Sequence, residues 1–213
     1  MPRTHNKRRV TPEERDQFRA QLIDIARRIF LAEGYGAVTI RRVAAEAGVT
    51  PMAFYWYFES KDALLTVIWD EFIKDSAEAC ARAADATGPA SAKVLAYFAT
   101  FLDYWLARRD RFRFIFLSDS HTVDYTSLRK QLFAMPGVKQ HFSQYDALLA
   151  PLFHGRPDMT QRVEQLRTLS MYRVFGFLYC TVGIYDYDAV ETRRLRQLVT
   201  DEMGRCLDHW CTH

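Results

Sequence analysis

The sequence predicts an all-α protein in two parts, a three-helix N-terminal unit and a longer helical domain. Three observations carry this expectation. A capped apolar stripe with helical spacing opens the chain. Two short predicted helices follow, joined by a tight turn containing glycine. No segment shows the apolar–polar alternation of a strand, and no sequence repeat is present.

The elements follow in order. Thr11-Pro12-Glu13-Glu14 reads as a helix start, with Thr11 as N-cap, Pro12 at N1 and Glu14 completing a capping box. Leu22, Ala26, Ile29 and Phe30 form the buried stripe, and Gly34 is placed to end the helix in a left-handed cap. A second helix starts after Thr39 and buries Ile40, Val43, Ala44 and Ala47. Gly48-Val49 makes the turn, where glycine can take a positive φ. Thr50 caps a third helix with Pro51 at N1, and Ser60 caps a fourth, 61–85, broken by "ATGPA". Further helices are expected at about 91–108, 111–119, 124–153 (interrupted at Pro136-Gly137), 158–185 and 189–211, with ends good to about four residues. Helices two and three form a helix-turn-helix, and the alanines of the first let the two axes approach.

Charge is unevenly placed. Residues 1–61 hold 11 Lys/Arg against 7 Asp/Glu, although the whole chain is only +3. Residues 1–10 carry four of those basic side chains and no acid, which reads as a flexible basic arm of the kind that contacts nucleic acid. No apolar run follows that arm, and no 18-residue apolar stretch suggests a membrane span. The four cysteines have no paired motif spacing, so a reduced, cytoplasmic protein is expected.

The third helix contains five consecutive aromatics, Phe54 to Phe58. Turned by about 100° per residue, Phe54, Phe58 and Pro51 fall within about 60° of one another and face the first two helices. Tyr55 and Tyr57 lie on the flanks, and Met52, Ala53 and Trp56 face outward. A short helix cannot bury its whole circumference. The division suits a helix in the DNA major groove, with flanking hydroxyls on phosphates and the outward face on base edges. Thr50 adds a hydroxyl at the helix start.

Residues 22–65, with Phe30, Gly34-Tyr35, Thr39, "RRVAAEAGV" and "FYWYFESKDALL" in that order and spacing, resemble the DNA-binding domain of TetR-type bacterial transcriptional regulators. The resemblance covers about a fifth to a quarter of the chain and implies domains at 11–60 (DNA-binding) and 61–213 (effector-binding and dimerisation). Carried over by position are Thr39, Arg41, Thr50, Met52, Ala53, Tyr55, Tyr57 and Lys61, the last in a helix's first turn, where exposed amides favour a phosphate. Pro51 and Met52 stand where many members have small, polar or Gly residues, so no operator sequence carries over. The resemblance also implies a homodimer through the last two helices, a double-stranded DNA operator, a small-molecule effector and no catalytic activity. Such a dimer sets two recognition helices roughly 34–36 Å apart on a palindrome. The alternatives are a protein of the same fold controlled by a protein partner and, more remotely, an enzyme with an appended helix-turn-helix.

The second half is rich in aromatics. Phe101, Tyr104, Trp105, Phe116, Tyr172, Phe175 and Tyr179 are candidates to line an apolar pocket between helices, against plain core packing for most of them. Arg173, in an otherwise apolar helix, is a candidate carboxylate anchor, with Asp103 as its alternative partner. Gly176 and Gly183 suggest close approach of a neighbouring helix. "LSDSH" (117–121) lacks a nucleophile-elbow context and reads as a loop. The tail residues Cys206, His209, Cys211 and His213 could ligate a metal by spacing, but their terminal position argues against it. No cofactor or metal is expected.

Overall fold

Side-chain caps and glycines set the helix ends. The computed structural model describes residues 11–117, 132–185 and 187–212. The basic arm, most of "LSDSH", the first part of the expected 124–153 helix and His213 lie outside the described residues. The chain divides into two compact units, one ending at Trp69 and the other beginning at Asp70.

In the first unit, α1 spans Pro12–Glu33. The Thr11 hydroxyl accepts from the Glu14 amide at 3.1 Å, and the Glu14 carboxylate accepts from the Thr11 amide at 2.9 Å. Two amides that the helix itself cannot satisfy are thereby paired. Gly34 ends α1 with φ +81° and ψ −178°, its amide donating to the Phe30 carbonyl at 2.8 Å. The cap therefore has positive φ but extended ψ, instead of the left-handed helical geometry expected. The extended ψ leads into a 3-10 turn, Tyr35–Ala37.

Helix α2, Ile40–Glu46, is capped by Thr39, and α3, Pro51–Phe54, by Thr50. Gly48 makes the turn between them at φ +73°. The third helix is shorter than expected. After Phe54 the amides of Tyr55, Trp56 and Tyr57 donate three residues back, at 3.2, 3.2 and 2.9 Å, before Phe58 returns to Phe54 at 3.1 Å. Three-residue spacing winds tighter than an α-helix, closer to 120° per residue. Leu22, Ala26, Ile29 and Phe30 of α1 are buried as expected, joined by Val38, Val43, Ala44, Phe54 and Phe58. Ile40 and Ala47 are only half-buried, and Pro51 is exposed instead of facing the core. At the first helical position its ring lies on the rim, and the capping turn, not burial, holds it.

Helix α4, Lys61–Asp85, begins in the first unit and continues into the second. Ser60 caps it by accepting from the Ala63 amide at 3.0 Å. The second unit continues with α5 (Ala90–Leu106), α6 (Arg109–Phe112), α7 (Pro136–Leu149), α8 (Met159–Leu178) and α9 (Ala189–Thr212). Helices α6 and α8 each run on into a wider π-helical turn, Arg113–Leu117 and Tyr179–Ile184. Helix α5 is central, packed against α7, α8 and α9. Its buried residues Val94, Phe98, Leu102 and Trp105 supply that core.

Helical residues 132–134 end in a bend at Met135 and a new helix starts at Pro136, so the expected interruption falls at Pro136-Gly137. The Gly137 amide donates to the Asp70 carboxylate at 2.6 Å, and a Cβ there would lie 3.0 Å from the Asp70 carbonyl. Gly183 is also closely approached: its Cβ would come within 2.9 Å of Leu117, a residue of the chain's own α6 extension. Gly176 meets nothing within 4 Å.

Candidate nucleic-acid interface and effector cavity

The short α3 and the turn after it present an unusual face. Met52 and Trp56 are 69% and 71% exposed, and Tyr55 is about half exposed. Ala53 is half-buried, and Arg41 on α2 is exposed. Phe54 and Phe58 are buried beneath this face, their rings 5.7 Å apart. Large apolar side chains held outward beside buried ones mark a surface built for contact.

Tyr57 is not a simple flank residue. Tighter winding carries it toward α1, where its ring lies 4.9 Å from Phe18, and it is half-buried. Thr39 and Thr50 spend an acceptor lone pair on the Arg42 and Ala53 amides, at 3.2 and 3.3 Å. Each hydroxyl hydrogen remains available to donate to a phosphate.

Lys61 stands in the first turn of α4 with its ammonium 3.9 Å from the centre of the Tyr35 ring. Burial holds its pKa below the ordinary lysine range, with Asp62 pulling the other way. A partly desolvated cation beside the free amides of a helix start is suited to an anion.

Helix α1 is a further partner of this face. Arg15 donates to the Trp56 carbonyl at 3.1 Å, and Arg19 lies over the Phe58 ring at 4.7 Å. With Phe18, these residues occupy positions i, i+3 and i+4 on α1, so one helix face meets Trp56, Tyr57 and Phe58. That spacing is visible in the sequence, but an apolar stripe counted from Leu22 leaves it out.

The second unit holds two small apolar cavities of about 70 and 90 Å³ between α5, α7 and α8. Phe101 and Phe175 line both, while Trp105 and Phe116 line the larger. The other expected pocket residues lie elsewhere. Tyr104 is buried with its hydroxyl donating to the Phe72 carbonyl at 3.1 Å. Tyr172 is 73% exposed, because α8 turns that position away from α5. Tyr179 donates to the Phe116 carbonyl at 2.7 Å and lines neither cavity. Arg173 also lines neither, and its Nη1 is buried with no hydrogen-bond partner among the described residues. Asp103, its alternative partner, instead receives Arg196 of α9 at 2.9 and 2.6 Å. In their place the cavities gain Tyr97, His141, Phe142 and Met171. Only the fold could reveal these, since they come from three helices far apart in sequence.

The fold and this face define a helix-turn-helix protein with an all-helical second unit. Residues 22–68 match the family described as bacterial regulatory proteins, tetR family. Over 62 residues the chain is 36% identical to the HTH-type transcriptional regulator AcrR of Shigella flexneri, a match covering 29% of each protein. Over 62 residues it is 40% identical to the HTH-type transcriptional regulator TtgR of Pseudomonas putida, covering 29% of this chain and 30% of that one. The chain thus spans about three tenths of the length of these curated relatives. A solved regulator of the TetR/AcrR family from Thermobifida fusca shares the fold over 88% of this chain and 97% of its own, with a TM-score of 0.58 at 19% identity. Residues 22–68 thus carry the N-terminal domain of bacterial regulatory proteins of the tetR family, and the chain shares the fold of a solved TetR/AcrR-family regulator. Among the described residues, no helix is long and apolar enough to cross a membrane.

Proposed function

We propose that this protein is a homodimeric, cytoplasmic repressor that holds a palindromic double-stranded DNA operator until a small molecule releases it. The observation that carries the reading is the exposed Met52–Trp56 face, held outward by the buried Phe54 and Phe58. Base edges meet Met52, Ala53 and Trp56, while phosphates meet Thr39, Arg41, Thr50, Tyr55, Tyr57 and Lys61. The dimer is supported by large apolar side chains exposed on the last two helices, Leu169 and Tyr172 of α8 and Val190 and Leu198 of α9. Control rests on the cavities and on α4, which contributes residues to both units. DNA favours one arrangement of the two readers and an effector favours another, so each shifts the population held by the other.

The test is selection of duplexes bound by the full chain from a random pool. A palindrome with half-sites about one helical turn apart is expected. A pool that enriches no sequence would sink the reading. A second reading, control by a protein partner, is favoured by the small size of the cavities. A metabolite series that never shifts operator binding selects it.

A further inference from the structure

The two cavities lie side by side and share a wall made of Phe101, His141, Phe142, Met171 and Phe175. At about 70 and 90 Å³, neither alone holds more than a few waters. Merged, they reach the scale of an apolar cavity that takes benzene, about 150 Å³. Met171 is the adaptable part of the wall, since an unbranched thioether with three rotatable bonds can swing aside without backbone movement.

Polar chemistry in this space is sparse and mostly committed. Arg167, the one lining residue with a full charge among the described residues, pairs with Asp146 at 2.5 Å. Tyr145 donates to Ser170 at 3.0 Å, and Ser170 donates to the Leu166 carbonyl at 2.7 Å. His141 is different. Its Nδ1 lies 2.6 Å from the Tyr97 hydroxyl, while its Nε2 is buried without a hydrogen-bond partner among the described residues. Burial holds the imidazole in its neutral form at pH 7, with the Ile73 backbone pulling the other way. A neutral imidazole nitrogen offers either a donor or an acceptor, depending on the tautomer, and a hydroxyl answers both. An anionic ligand would find no uncommitted cation among the described lining residues.

We propose that the two cavities are halves of one effector site for a small, flat, uncharged aromatic molecule whose single hydroxyl group meets His141 Nε2. This rests on the effector reading above and gives that effector a chemistry. Ring-lined walls favour a flat aromatic body, which meets Phe101, Trp105 and Phe175 edge to face. The hydroxyl removes the cost of leaving a buried nitrogen unmatched.

The test titrates the full chain at neutral pH with phenol, toluene of the same size, and benzoate, followed by calorimetry. Phenol is expected to bind about fivefold more tightly than toluene, the worth of one neutral hydrogen bond. Benzoate is expected not to bind in that range. In His141→Leu the two neutral probes should bind alike. Met171→Trp, which plugs the shared wall, should abolish both and serves if the first variant does not fold. Benzoate binding in preference to phenol overturns the proposal, as does a phenol preference that survives His141→Leu. Failure of all three probes, while other molecules release operator DNA, overturns this ligand class and leaves the effector reading intact. Release by no molecule at all overturns the effector reading itself.

Discussion

The Arg15 guanidinium donates from Nη2 to the Trp56 carbonyl at 3.1 Å. Forty-one residues apart in sequence, these two groups tie the start of α1 to the end of the recognition segment. Helix α3 itself is a single turn and supplies little stability of its own. Its pose is therefore set from outside, by Phe54 and Phe58 below and by Arg15, Phe18 and Arg19 at the side.

Arg15→Met is predicted to relax base preference more than it lowers stability. The lost hydrogen bond is exposed, so unfolding should change by no more than about 1 kcal/mol. Discrimination between operator and mismatched duplex should fall several-fold as Trp56 gains freedom. Unchanged discrimination in competition binding would show that the segment holds its own pose.

Trp56 and Tyr57 should separate by type of loss. Trp56→Ala, removing the most exposed aromatic of the run, should alter the sequence selected from a random pool. Tyr57→Phe keeps the ring on Phe18 and removes only the hydroxyl, so operator and unrelated DNA should weaken alike. Tyr57→Ala should add about 1–3 kcal/mol of destabilisation through lost ring packing, seen in urea unfolding. A Tyr57→Phe variant that loses only operator binding would place the hydroxyl on a base instead.

Acid should weaken the second unit through His141. Burial pushes its pKa down to about 4, below the value of about 6.5 in the unfolded chain. Between those values the unfolded chain binds the extra proton, so stability is complete above about 6.5 and drains as pH falls toward 4. From pH 7 to pH 5 the loss is about 2 kcal/mol. His141→Leu should flatten that stretch of the urea-unfolding profile. An identical slope in wild type and variant would assign the acid sensitivity elsewhere.

Tyr172→Glu should dissociate the proposed dimer without unfolding the chain. The side chain is 73% exposed in the single chain, so a carboxylate there costs little until a partner covers it. Light scattering should show monomer at concentrations where the wild type is dimeric, and operator affinity should drop with it. A dimer that survives would move the interface off this part of α8.

Much of the first unit was legible because its signals are local. Thr11, Thr39, Thr50 and Ser60 each bond an amide three residues on, and that chemistry needs no knowledge of the rest of the chain. Gly48 was legible for the same reason, since a positive φ is tolerated by few other residues. Legibility failed where geometry depended on neighbours. A uniform wheel placed Pro51 inside and Tyr57 on a flank, but tightening after Phe54 turned Tyr57 onto Phe18. In the second unit, aromatic content was a poor guide to the cavities, because aromatic side chains serve core, surface and pocket equally well. Tyr104, Tyr172 and Phe101 look alike in sequence, yet one is buried, one is exposed and one lines a cavity.

Sequence alone determined the helices' starts, the Gly48 turn and the resemblance of residues 22–65 to TetR-type regulators, because each rests on contacts within a few residues or on a motif with fixed spacing. Only the tertiary structure decided that Arg15 grips Trp56 and that His141, whose Nε2 has no hydrogen-bond partner among the described residues, lines two cavities. Those relationships join residues from separate helices. Their distances are set by how whole helices pack, which no local pattern encodes.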